Sequence, residues 1–248
     1  MPRFFTRQTL TPGCTVELEP FAARHVQVLR LQPGDPITLF NGLGDGAGID
    51  GEYAASIAAM GRTTVSVVIG SFVRTHTGPA RVVHLAVGMP ANDRMDWLVE
   101  KATELGVTSI TPLMTERSVL RLQGERLDKK WAHWHAVAIA ASEQCGRSQV
   151  PLICMPAHLA AYLKTCAETP AAPDHARLML SLQTGALPLG DFASGQKTFT
   201  LLSGPEGGLS AGEETAAHAA GFSLLTLGPR TLRAETAPLA ALAGLQLL

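Results

Sequence analysis

Polar and apolar positions alternate in three short runs of the first seventy residues, 37–41, 53–60 and 64–72, and each run predicts a strand. Gly42, Gly44, Gly46, Gly48 and Gly51 break the chain between the first two. This stretch reads as a small β-barrel or sandwich. Over 74–79 the sequence Arg-Thr-His-Thr-Gly-Pro carries no apolar period and has the punctuation of a linker. Beyond it the pattern changes. An apolar run at 82–89 predicts a buried strand, and Met95, Leu98, Val99, Ala102 and Leu105 form one helical face stopped by Gly106. A strand at 109–114 is followed by a long helix at about 125–144 with Trp131, Trp134, Ala138 and Ala141 on one stripe. A helix at 157–166 and strands at 177–182, 198–203 and 222–227 continue the alternation, and a helix closes the chain. Strands alternating with helices predict an α/β layered domain with a mostly parallel sheet. The domains are expected at 1–73 and 80–248.

A chain of 248 residues suits two such domains, and 46% hydrophobic with 17% charged residues excludes a disordered, collagenous or coiled-coil protein. The net charge of −1 means that a polyanion would have to be held by a local patch. Arg3, Arg7, Arg24, His25 and Arg30 form one candidate strip; Arg117, Arg121, Arg126, Lys129 and Lys130 form another. Either can equally be a solvated face. Arginine outnumbers lysine 15 to 5, which suits bidentate phosphate contacts. Cys14, Cys145, Cys154 and Cys166 lack CxxC spacing and read as reduced thiols, and the 8 histidines show no metal-ligand spacing, so no metal is expected. The most apolar run, 239–248, is too short to span a membrane and contains Gln246, and the opening MPRFFTRQ lacks a signal-peptide core. A cytoplasmic location is expected.

Two loops carry the candidate chemistry. In open α/β sheets ligands bind beyond the carboxyl ends of the strands. There, an apolar strand runs into Gly204-Pro205-Glu206-Gly207-Gly208, and Ser210 with Glu213 makes a capping box for the next helix. Lacking a lysine after the glycines, the loop is a poor triphosphate cradle. A second loop, Gly228-Pro229-Arg230-Thr231-Leu232-Arg233-Ala234-Glu235-Thr236, leads into the last helix. Arg233 and Glu235 read either as a surface ion pair or as a cation and carboxylate placed in a pocket. Leu202, Leu227 and Leu232 beside Gly204 and Gly228 offer apolar walls and open backbone groups.

GPEGGLS at 204–210, LGPRTLRAETA at 227–237, EKATELGV at 100–107 with ITPLMTERS at 110–118, AIAASEQCGR at 138–147 and the opening MPRFF together resemble the bacterial small-subunit (16S) ribosomal RNA uracil-N3 methyltransferases, in order along nearly the whole chain. The resemblance implies a PUA-like β-barrel followed by a SPOUT-class α/β domain with a C-terminal trefoil knot. It also implies a homodimer acting on small-subunit ribosomal RNA in the assembled subunit. Its cofactor would be S-adenosylmethionine, held by Leu182, Leu202, Gly204, Pro205, Glu206, Gly207, Gly208, Leu227, Gly228, Leu232, Arg233, Ala234, Glu235 and Thr236. Methyl transfer to an imide nitrogen needs orientation and charge stabilisation and no metal.

For the base pocket the candidates are Arg147, favouring the deprotonated uracil, and Glu143, with Gln144 able to read the base edge. The same residues also suit an ordinary helix end, with Gly146 as its stop. RNA contacts are expected from Arg3, Arg7, Arg24, Arg30, Arg94 and Arg117. The family often has lysine just before the helix that starts here at Asn92, which moves that contact onto Arg94. Pro238, where a small residue is usual, falls in a first turn that tolerates it. Trp131 and Trp134 read as helix packing. The alternatives are a SPOUT enzyme with another RNA target and a non-catalytic RNA-binding assembly factor.

Overall fold

A computed structural model describes residues 1–45, 49–75, 78–91 and 93–247. Gly46, Gly48, part of the expected linker, and Asn92 lie outside the described residues. The chain divides into two units, Met1–Gly78 with Ile139–Val150, and Pro79–Ala138 with Pro151–Leu248. The cut near residue 78 lies in the expected linker. Residues 139–150, read as part of the second domain, pack instead with the first.

The first unit contains β1 (Arg3–Phe5), β2 (Thr15–Glu17), α1 (Pro20–Val28), β3 (Pro36–Phe40), β4 (Gly51–Met60) and β5 (Val65–Arg74). Its sheet runs β1-β3-β4-β5-β2, with β1 parallel to β3 and the other pairs antiparallel. Inward positions of β4 and β5, including Ile57, Val67 and Ile69, share a core with Phe4, Leu39 and the α1 residues Ala23 and Val26. Strand alternation supplies one wall and the apolar stripe of α1 the other. The pattern missed α1 because it has only 9 residues; Pro20 begins it and Arg30, at φ 56°, turns the chain away after it.

In the second unit β6 (Val82–Gly88), α2 (Arg94–Glu104), β7 (Ser109–Met114) and the long α3 (Gly124–Cys145), whose last seven residues belong to the first unit, come first. Then follow β8 (Leu152–Ile153), β9 (Ala157–His158), α4 (Leu159–Glu168), β10 (His175–Leu180), β11 (Leu187–Pro188) and α5 (Leu189–Ala193). The chain ends with β12 (Thr198–Ser203), α6 (Ala211–Ala219), β13 (Ser223–Thr226) and α7 (Thr236–Leu247). The strands form one parallel sheet ordered β11-β13-β10-β12-β6-β7-β8, with β9 also beside β7. Near-continuous burial along β6, β7 and β12 follows from covering both faces of a parallel sheet. Trp134 is fully buried and donates to Asp96 at 2.9 Å, and Trp131 donates to the Ile153 carbonyl at 2.8 Å. The last helix is fastened by Gln246, which accepts from the Arg81 backbone at 3.2 Å and donates to its carbonyl at 3.0 Å.

Under α4 and α6, the sheet face is apolar at Ala86, Met179 and Leu202. Two residues earlier on each strand it turns polar, at His84, Arg177 and Thr200. His84 meets Ser109 at 2.7 Å and His175 meets Thr200 at 2.9 Å, with the two rings 6.2 Å apart. Burial lowers the pKa of His84; burial, then the neighbouring His84 and Arg177, lowers that of His175 against the opposing pull of Asp174. Both imidazoles therefore bind protons less readily folded than unfolded. Stability is expected to be full above the ordinary value of 6.5 and to fall as pH drops below it towards the lowered folded values. Urea unfolding at neutral and mildly acidic pH checks this, and His84→Gln should flatten the difference.

Candidate functional site

Three loops at the carboxyl ends of β10, β12 and β13 enclose a cleft of about 540 Å³. Leu180 to Gln183 supply one wall, Ser203 to Leu209 another, and Leu225 to Ala237 the third. Of the residues expected at a cofactor, Leu182, Gly204, Pro205, Glu206, Gly207, Gly208, Leu227, Gly228, Leu232 and Ala234 line it. Leu202 is buried beneath in the sheet, and Arg233, Glu235 and Thr236 are not among its lining residues.

The glycine loop is shaped by close approach. A Cβ on Gly204 would lie 2.7 Å from the backbone of both Gly208 and Leu209, and one on Gly88, at the end of β6, would lie 2.6 Å from Pro205. Gly208, at φ 68°, closes a turn by donating to the Pro205 carbonyl at 2.8 Å. Ser210 caps α6, and Glu213 completes the capping box at 2.9 Å while accepting from the Glu116 amide at 2.8 Å.

Arg117, read from the sequence as an RNA contact, points at this loop. Its guanidinium donates to the carbonyls of Gly207 at 2.7 Å and Leu209 at 3.1 Å. Arg94, read likewise, pairs with Glu206 at 3.2 Å and lies 3.9 Å from Glu235, joining the two Gly-Pro loops. Glu206 also accepts from the Ala91 amide at 2.9 Å. Glu235 thus takes Arg94 as its cation, and no ion pair joins it to Arg233 among the described residues. Sequence reasoning passed over Gly88, Gln183 and Glu214. Gln183 donates to Glu214, and both line the cleft. A glycine at a strand end was the only available signal for the first, and exposed polar residues gave none for the others.

Glu143 and Arg147, expected at a base pocket, belong to the first unit and are buried there. Glu143 accepts from the Phe5 amide at 3.0 Å and lies 3.3 Å from His25. Burial raises its pKa, opposed by the Phe5 amide, His25 and Arg3. Arg147 accepts from Arg3 through its carbonyl at 2.9 Å, and burial lowers the guanidinium's pKa. Both residues thus contact β1, at Phe5 and Arg3. Arg3, a third expected RNA contact, is spent on Glu52 and that carbonyl, whereas Arg7, Arg24 and Arg30 are exposed. In the second basic group Arg121 donates to the Glu116 carbonyl at 2.9 Å, while Arg126 and Lys129 are exposed on α3.

The α/β sheet thus ends in glycine loops around an apolar-walled cleft, and the glycine loop lacks the lysine of a triphosphate cradle. Residues 77–246 match the RNA methyltransferase domain family. The ribosomal RNA small subunit methyltransferase E of Rickettsia conorii is 30% identical over 253 residues, covering 99% of this chain and 95% of its own. Two solved structures superpose with TM-scores of 0.88. One is a Legionella pneumophila methyltransferase in complex with the bound cofactor SAM, 36% identical over 99% of this chain and 96% of its own. The other is the Neisseria gonorrhoeae ribosomal RNA small subunit methyltransferase E bound to S-adenosyl methionine, 34% identical over 100% and 97%. The chain belongs to the RNA methyltransferase family, among the ribosomal RNA small subunit methyltransferases E.

Proposed function

We propose that this protein transfers a methyl group from S-adenosylmethionine to N3 of a uridine in small-subunit ribosomal RNA. The observation that carries the reading is the single cleft formed by both Gly-Pro loops and the loop after β10. Its volume lies within the range of small-molecule sites, of order 300–1,000 Å³. Leu182, Leu227 and Leu232 offer apolar walls to an adenine, the glycine backbones offer its hydrogen-bond partners, and the Glu206 and Glu214 carboxylates suit a ligand bearing cationic groups. Bound there, the cofactor supplies an electrophilic methyl group on a sulfonium. The chain's own work is to hold the loops, exclude water and orient the base.

In this reading the C-terminal chain forms the trefoil knot and the first unit is a PUA-like RNA-binding barrel. The protein works as a cytoplasmic homodimer on the assembled subunit. The described residues contain no helix long and apolar enough to cross a membrane. Exposed Arg7, Arg24 and Arg30 of the first unit and Arg126 of α3 are candidate cations for phosphates, whereas Lys129 pairs with Glu125 at 3.2 Å.

Heat titration with S-adenosylmethionine, followed by nucleoside mass spectrometry of methylated small subunits, tests the function. One site per chain and N3-methyluridine are expected; a methylated ribose or a different base would overturn it. Arg117→Ala should weaken cofactor binding about tenfold, since it frees two carbonyls of the loop, and leave the salt slope of RNA binding unchanged. Arg7→Ala should do the reverse, lowering that slope by about one.

A further inference from the structure

Beside the cofactor cleft lies a second hollow, of about 360 Å³, lined by Asp93, Arg94, Trp97 and Glu235. We infer that this hollow reads the target uracil, with Arg94 and Glu235 on the base edge, Trp97 on its face, and Glu235 as acceptor of the N3 proton. The inference rests on the uridine-N3 reading above and assigns the residues that meet its substrate.

The hollow and the cleft are lined by different residues of the same loop. Ala234 and Ala237 line the cleft while Glu235 between them lines the hollow, and Glu206, which lines the cleft, holds Arg94. A base seated in the hollow therefore meets the loop that also lines the cofactor cleft. Trp97 stands one turn along α2 from Arg94 on the same helix face, and the indole is 44% exposed, unusual for so large an apolar side chain. Stacking on a base gives it a partner.

Glu235 has the complementary peculiarity. It is only 7% exposed, and its Oε2 is buried without a hydrogen-bond partner among the described residues. A carboxylate accepts several hydrogen bonds, and here the cation on the other oxygen stands 3.9 Å away, so acceptor capacity is unspent. Arg94 in turn carries five N–H groups and donates one to Glu206.

Uracil presents carbonyl, N3–H, carbonyl along one edge. Arg94 can donate to a carbonyl while Glu235 accepts from N3–H. Cytosine offers a lone pair at N3 and would set it against the carboxylate, so the same two side chains reject the wrong pyrimidine. In the transfer, the N3–H proton passes to the Glu235 carboxylate and the N3 electron pair forms the bond to the methyl carbon. The S–C bond breaks with its pair returning to sulfur, which leaves a neutral thioether. The protonated carboxyl then returns its proton to water.

The test uses the full-length protein and small ribosomal subunits from cells lacking uracil-N3 methylation. Glu235→Gln is expected to bind S-adenosylmethionine within about threefold of wild type but to lose about a hundredfold or more in single-turnover rate, with the residual rate climbing in alkali as hydroxide takes over proton removal. Trp97→Ala should raise KM for the subunit about tenfold with a smaller change in kcat, and Trp97→Phe should restore most of it. A Glu235→Gln rate within about threefold of wild type overturns the assignment. So does loss of cofactor binding in step with rate, which would make Glu235 a wall of the cofactor site. A Trp97→Ala protein that changes oligomeric state and keeps its KM would assign the indole to subunit packing and overturn its stacking role. Wild-type protein that binds cofactor and methylates no uridine would instead overturn the underlying function.

Discussion

Gly204→Leu is expected to weaken S-adenosylmethionine binding by at least about a hundredfold, or about 2.7 kcal/mol. The first side-chain carbon alone would stand 2.7 Å from main-chain atoms of Gly208 and Leu209, and main chain cannot rotate aside as a side chain can. The turn at Pro205–Gly208 must open, and the backbone groups that would meet the ligand move with it. Gly88→Ala should act similarly from the opposite side, since its methyl group would meet Pro205 at 2.6 Å. Titration calorimetry on both variants, with circular dichroism to show that they are folded, checks the expectation. Affinity within about fivefold of wild type would mean that the loop is not the cofactor's cradle.

Arg177→Ala should produce the largest loss of stability. Its guanidinium donates to the Cys166 carbonyl at 2.6 Å, to Thr169 at 2.6 Å and to Ala220 at 3.1 Å. These are the carbonyl ends of α4 and α6, where a helix leaves acceptors unpaired and favours a positive charge. One side chain on β10 thus pins two helices to the sheet. Hydrogen bonds to charged groups contribute about 1.5–3 kcal/mol each and do not add, so a net loss of about 2–4 kcal/mol is expected. For a chain of this size that corresponds to a melting point lower by roughly 5–15 °C. Arg177→Lys should recover only part, because an ammonium does not reproduce the planar fork. A melting point unchanged in the alanine variant would show that water replaces the guanidinium at no cost.

The strands with a clear period were legible. The runs at 109–114 and 198–203 coincide with β7 and β12, because buried parallel strands leave unbroken apolar stretches. The two Gly-Pro loops were legible too, since close backbone approach demands particular residues. What a cation would touch was not. Arg94 and Arg117 looked like phosphate ligands, yet one binds carboxylates of the two loops and the other binds main-chain carbonyls, and nothing in a linear pattern separates those partners. The partners of Glu143 and Arg147 were illegible for a related reason. Helical periodicity shows that Ala138 and Ala141 face inward but not which of two cores they face. Short elements such as β1 and β11 carry too few positions for any period to register.

The detour of residues 139–150 also bears on synthesis at the ribosome. The first 78 residues leave the exit tunnel as a nearly complete unit, but the segment that receives the Phe5 amide and neighbours His25 is made some seventy residues later. At roughly 5–20 residues per second that is a wait of several seconds. During the wait the nascent sheet must keep β1, its three-residue edge strand, from pairing elsewhere. Expression of the first 78 residues alone would make the wait permanent.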